Sequence, residues 1–141
     1  MITTLISIGV FIGFVIWYLI KEGVPENLSS TYYKVGSLFT VVLALCAFLL
    51  LPGMGLKGFP IVISILLVAC APRFKEFELK IHMIGALSAM LLSQIYVVMD
   101  GKWWLMGLLL FPWWLSRKNW LFWIELIFFL EIYVNEVLKQ I

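Results

Sequence analysis

Six apolar runs cover most of this 141-residue chain, and none of them alternates. They are Ile2–Ile20, Leu38–Leu51, Phe59–Ala71, Ile81–Met99, Trp103–Leu115 and Trp120–Leu138. A lipid-facing barrel strand repeats its apolar positions every second residue, so continuous runs force helices. The chain is 64% hydrophobic and 13% charged, against roughly 45–50% and 25% in soluble domains. A single short domain has too little interior for that apolar surface, which must face lipid. The expected fold is all-α: one polytopic transmembrane helix bundle over residues 1–141, with about six short spans.

Three runs are short. A helix of 13–14 residues rises roughly 20 Å, while the hydrocarbon core is about 30 Å thick. Met54–Gly58 can lengthen the second and third runs by a turn each, Val35–Ser37 the second by another, and Gly101–Lys102 the fifth. In a four-span alternative the second and third runs, or the fifth, would be re-entrant or interfacial. The first run reads as a retained helix. It is longer than a signal-peptide core, no Lys or Arg precedes it, and no A-x-A-like site follows.

With six spans, Lys21, Lys34, Arg73, Lys75, Lys80, Arg117 and Lys118 share one side, and Lys57, Lys102 and Lys139 the other. The positive-inside rule places loops 21–37, 72–80 and 116–119 in the cytoplasm and both termini on the non-cytoplasmic side. A bacterial inner membrane is the expected location. The tight connections 52–58 and 100–102 predict antiparallel hairpins from runs two and three, and from four and five. Trp103, Trp104, Trp113, Trp114, Trp120 and Trp123 read as interfacial anchors. Gly9 and Gly13, and the Gly85, Ala89, Ser93 stripe, allow close helix packing. The stripe makes the fourth run the expected centre of the bundle.

Ionisable groups inside a span are costly and turn toward protein or water. The sixth run carries Glu125, Glu131 and Glu136 with Asn135; the fourth carries His82, Ser88, Ser93 and Gln94. Counting from the cytoplasmic entry, Glu125 lies roughly 8 Å deep and Glu131 roughly 17 Å. Depth then pairs His82 with Glu125 and Gln94 with Glu131, while Glu136 near the exit is read as solvated. The loop from Gly23 to Lys34 is long beside the others, and long loops are often functional. Asn27, Ser29 and Ser30 are helix-cap candidates there, and Ser30 and Tyr33 candidates for lining a cytoplasmic mouth. The candidate binding residues are thus His82, Gln94, Glu125, Glu131, Ser30 and Tyr33.

The Pro25–Tyr33 string ahead of a hydrophobic hairpin resembles small polytopic membrane proteins of bacteria and their phages. The Phe74–Ala86 stretch, a basic loop with His82 at a helix start, resembles multi-span proteins of the Frag1/DRAM and DUF998 kind. The resemblance implies an α-helical multi-span fold and brings no catalytic motif.

No H-E-x-x-H, G-x-S-x-G or glycine-rich phosphate loop occurs, and one histidine is a poor start for a metal site. Cys46 and Cys70 lie in apolar runs without ligand spacing. No catalytic residue, metal or cofactor is expected, and no basic stripe points to nucleic acid. Membrane lipid is the expected partner, with a homo-oligomer or a partner membrane protein beside it. Three functions fit. The first is movement of a small solute or protons along a polar path between the fourth and sixth runs. The second is an accessory or structural role, binding lipid or a partner helix. The third is a membrane-embedded enzyme acting on lipid.

Overall fold

A computed structural model describes residues 1–110 and 119–141. The described chain is helical, with no strand among the described residues. The α-helices are α1 (Ile2–Glu22), the short α2 (Tyr32–Val35), α3 (Ser37–Cys70), α4 (Glu78–Met99) and α5 (Trp120–Leu138). Short 3₁₀ segments cover Ser29–Thr31, Ala71–Phe77 and Trp103–Leu110. Three helices, α1, α3 and α4, are long and apolar enough to cross a membrane.

Helix α1 buries Thr4, Ser7, Phe11, Phe14, Val15 and Tyr18, a stripe at three- and four-residue spacing. The Ser7 hydroxyl donates to the Cys46 carbonyl at 3.0 Å and meets the Tyr133 hydroxyl at 2.9 Å. Phe11 stacks on Phe129 with ring centroids 4.6 Å apart. The stripe therefore packs between α3 and α5. The opposite face exposes Ile2, Leu5, Ile6, Ile16 and Ile20. Gly9 and Gly13 lie on this outer face, with no atom of the described residues within 4 Å of an added Cβ, so the G-x-x-x-G spacing does not pack against the described residues.

Helix α3 folds back on itself. Gly55 breaks it with φ 61° and ψ −158°, a region essentially reserved for glycine. Thr40 in the first arm donates to the Ala69 carbonyl in the second at 2.9 Å, so the arms are antiparallel. This is the expected hairpin of runs two and three, with the turn at Gly55. Pro52 lies in the last turn of the first arm, and Pro60 lies five residues past the break, in the second. Pro60 has no N–H to bond the Leu56 carbonyl, yet so close to the start of the arm the helix continues through it.

The centre of the bundle is this hairpin and not α4. Cys46, Ala47, Leu50 and Ala69 have no exposed surface. Of the three long helices α4 is the least buried, and Leu79, Ile84, Leu87 and Leu91 face outward. The small-residue stripe still acts as a close contact. A Cβ on Gly85 would sit 2.9 Å from the Ser64 carbonyl oxygen. A stripe of small residues marks one tight face; it does not say how many neighbours a helix has.

Helix α4 ends as expected at Asp100-Gly101. Gly101 takes φ 73°, and Lys102 N–H bonds back to the Val97 carbonyl at 3.0 Å, a Schellman-like closure. The described part of the fifth run, Trp103–Leu110, is 3₁₀ and not the expected α-helix. Eight residues rise about 16 Å in 3₁₀ and about 12 Å in α. Tighter winding lengthens a run that is short for a bilayer. Trp113 and Trp114 lie outside the described residues. Trp103, Trp104 and Trp120 are exposed, whereas Trp123 packs against the core and Phe122.

The bundle has two ends. Thr4, the 53–58 turn, Asp100 and Lys139 share one. The other holds the basic loops, where Asn119 Nδ2 donates to the Val24 carbonyl at 3.3 Å and Tyr33 bonds Glu78.

Candidate functional site

At the basic end, residues 26–33 cover the entrance between α4 and α5. Asn27 Oδ1 accepts from the Ser30 N–H at 2.7 Å and the Ser29 hydroxyl at 2.8 Å. Ser30 and Thr31 hydroxyls donate back to the Asn27 and Leu28 carbonyls, both at 2.7 Å. The polar string thus satisfies its own turn, as short hydroxyl and amide side chains do. It also buries Leu28, whose N–H donates to the Glu125 carboxylate at 2.5 Å. The Tyr33 hydroxyl donates to Glu78 at 2.7 Å. That bond, with some burial, lifts the Tyr33 pKa above its ordinary value.

Behind this loop is a groove of about 740 Å³. Glu26, Asn27, Ser30, Tyr33, Glu76 and Glu78 line its polar side, and Leu79, Met83, Leu87 and Met90 its apolar side. It continues into an apolar cavity of about 60 Å³ beside Leu43, Ile65, Ala89, Ser93, Phe129 and Ile132. Ser29, His82 and Glu125 line both. His82 and Glu125 therefore share a chamber, as their depth suggested, but the carboxylate bonds the Leu28 backbone and not the imidazole. The loop amide lies closer to Glu125 in the fold, and sequence depth alone does not show it.

Farther along the seam between α4 and α5, Gln94 Nε2 donates to Glu131. Glu131 is 0% exposed. Neither residue lines the groove. The structure thus places Ser30, Tyr33, His82 and Glu125 around one opening and joins Gln94 to Glu131 deeper in.

The far end holds a cluster that the sequence reading missed. Glu136, read as solvated, is 0% exposed. Its carboxylate accepts from the Tyr96 hydroxyl at 2.5 Å and from Lys139 Nζ at 3.0 Å. Lys139 also meets Asp100 at 2.9 Å and the Tyr96 hydroxyl, and Asn135 Nδ2 donates to Asp100 at 2.7 Å. Burial raises the Asp100 pKa, but the Asn135 and Lys139 bonds outweigh it and hold the carboxyl below its ordinary value. Burial lowers that of Lys139, and its bonds to Tyr96, Asp100 and Glu136 outweigh this and raise it. Two helix C-termini converge here, and one ammonium answers the negative end of both. The available signal was spacing: Tyr96/Asp100 and Asn135/Lys139 are i, i+4 polar pairs at ends of α4 and α5 that the topology brings to one face.

Among the described residues, five buried side-chain oxygens lack a hydrogen-bond partner: Thr4 Oγ1, Gln94 Oε1, Glu131 Oε1, Asn135 Oδ1 and Glu136 Oε2. Four are amide or carboxyl oxygens that can accept, and these four belong to the α4/α5 seam. The fifth, Thr4 Oγ1, lies beside Glu136: the two oxygens are 2.9 and 2.8 Å from the point where a Gly53 Cβ would be. No group of three or more metal-ligating residues occurs among the described residues. No family model, curated protein or solved structure matches the chain.

Proposed function

We propose that the protein spans the membrane and passes protons along the seam between α4 and α5. The observation that carries this reading is the set of five unpartnered buried oxygens on or beside that seam. A buried acceptor without a donor is costly, so such groups take up protons or bind water. Glu125, Glu131 and Glu136 stand six and then five residues apart on α5, or about 9 Å and 7.5 Å along the axis. A few waters bridge each gap. Protons enter at the chamber of His82 and Glu125, pause on Glu131 and leave through Glu136. At that exit two carboxyl groups, Glu136 and Asp100, face one ammonium, and Glu136 Oε2 has no partner among the described residues. Full burial of Glu131 and Glu136 favours a proton over a larger solute.

The basic end is cytoplasmic in this reading and both termini are outside, in a bacterial inner membrane. Seven Lys and Arg against three support the orientation. The membrane-active test is reconstitution into liposomes with a potassium-diffusion potential and an internal pH dye. Wild-type protein should acidify or alkalinise the lumen with the sign of the potential. Glu131→Gln should remove most of that flux while expression and thermal unfolding stay unchanged. A wild-type rate equal to that of empty liposomes overturns the proposal. The lipid-binding reading draws support from a different feature, the amphipathic groove at the basic end.

A further inference from the structure

We propose that the groove at the basic end binds a single-chain amphiphile with a cationic, amine-bearing head. Volume is the first argument: about 740 Å³ falls within the range of small-molecule sites, roughly 300–1,000 Å³. The groove is also two-sided. Leu79, Met83 and Leu87 are exposed on the outer face of α4 and also line it, so it opens sideways where lipid chains lie. A chain entering there runs along Ala86 and Met90 toward the apolar cavity beside Ala89 and Phe129. The head then rests among Asn27, Ser30 and Tyr33.

Charge selects the head. Glu26, Glu76, Glu78 and Glu125 are among the lining residues, and no Lys or Arg is among the described ones. This holds although the surrounding loops are the basic ones of the chain. An anionic head would face four carboxylates, and a cationic one would be drawn to them. His82 stands where polar mouth and apolar depth meet, beside the place where head and chain join. Glu131 and Gln94 do not line the groove, so this site meets the proposed proton path only at its entrance, His82 and Glu125, and amphiphile binding does not require the path beyond them.

The test uses the full chain in phosphatidylcholine nanodiscs with a spin-labelled long-chain amine, and reads the immobilised fraction. Dodecylamine should displace the probe. Dodecyl sulfate of equal chain length, and ethylamine with the head but no chain, should not. Glu76→Gln with Glu78→Gln should weaken binding about fivefold or more, the factor set by losing exposed charge pairs. Ala86→Phe should block the chain. Glu131→Gln should bind the probe like the wild type even where proton flux is lost. Equal displacement by amine and sulfate overturns the proposal. So does displacement by ethylamine, unchanged binding in the double glutamine variant, absence of an immobilised probe, or loss of binding in Glu131→Gln.

Discussion

Lys139 touches Asp100, Glu136 and the Tyr96 hydroxyl, and so holds three groups from two helices with one ammonium. Replacing it by Met should destabilise the protein by about 1–3 kcal/mol, the cost of stranding acceptors bonded to a charge. Its pH dependence follows from the two shifts outside the spans. Asp100 is lowered in the fold, so its contribution is present above the unfolded value, about 4, and is lost as pH falls through the lower folded value. Lys139 is raised, so its contribution is present below about 10.4 and is lost as pH rises through the higher folded value. The stability gap between wild type and Lys139→Met should therefore be flat across neutral pH and close at both extremes. Thermal unfolding in detergent from acid to alkaline pH measures it. A gap that grows toward acid would mean that the Asp100 contact is not what Lys139 supplies.

Helix α3 depends on one backbone position. Gly55 holds φ 61° and ψ −158° with no atom of the described residues within 4 Å of an added Cβ, so conformation and not contact with them is the obstacle. Gly55→Val should cost about 1–3 kcal/mol through backbone strain alone. Gly58 differs, since its Cβ would meet Met54 at 2.2 Å. The expected outcome is a lower unfolding temperature for Gly55→Val, with Leu56→Val beside it near neutral because Leu56 is exposed. Equal effects at both positions would show that the hairpin does not rest on the glycine. The apolar run and the turn signal were legible here, and Pro52 marked the neighbourhood. The breaking residue was not, because several glycines crowd residues 53–58 and only the folded backbone, non-helical at Gly55, shows which one reverses the chain.

For the whole molecule, the turns and termini at one end carry few cations and the loops at the other carry most. In a chain with Cys46 and Cys70 replaced, a cysteine at Lys57 should react with an impermeant reagent from outside the cell. One at Arg73 should react only after the membrane is opened. The reverse pattern would invert the orientation and with it the direction of the proposed path. Both sites are exposed, so burial does not confuse the readout.

Uninterrupted apolar runs and a shortage of charge are enough to demand helices in lipid, because backbone groups in a bilayer need internal partners. Sequence alone therefore determined the helical class, the limits of α5, the end of α4 and the hairpin around residues 52–58. It also paired Gln94 with Glu131, since rise per residue converts position into depth along a straight helix. Depth, however, is one coordinate. Which face a helix turns inward, and what lies opposite, depends on side-chain packing between segments far apart in the chain. That is why only the tertiary structure put Leu28 on Glu125, turned Gly9 and Gly13 outward, left α4 at the edge and brought Thr4, Tyr96, Asp100 and Glu136 around the ammonium-bearing end of α5.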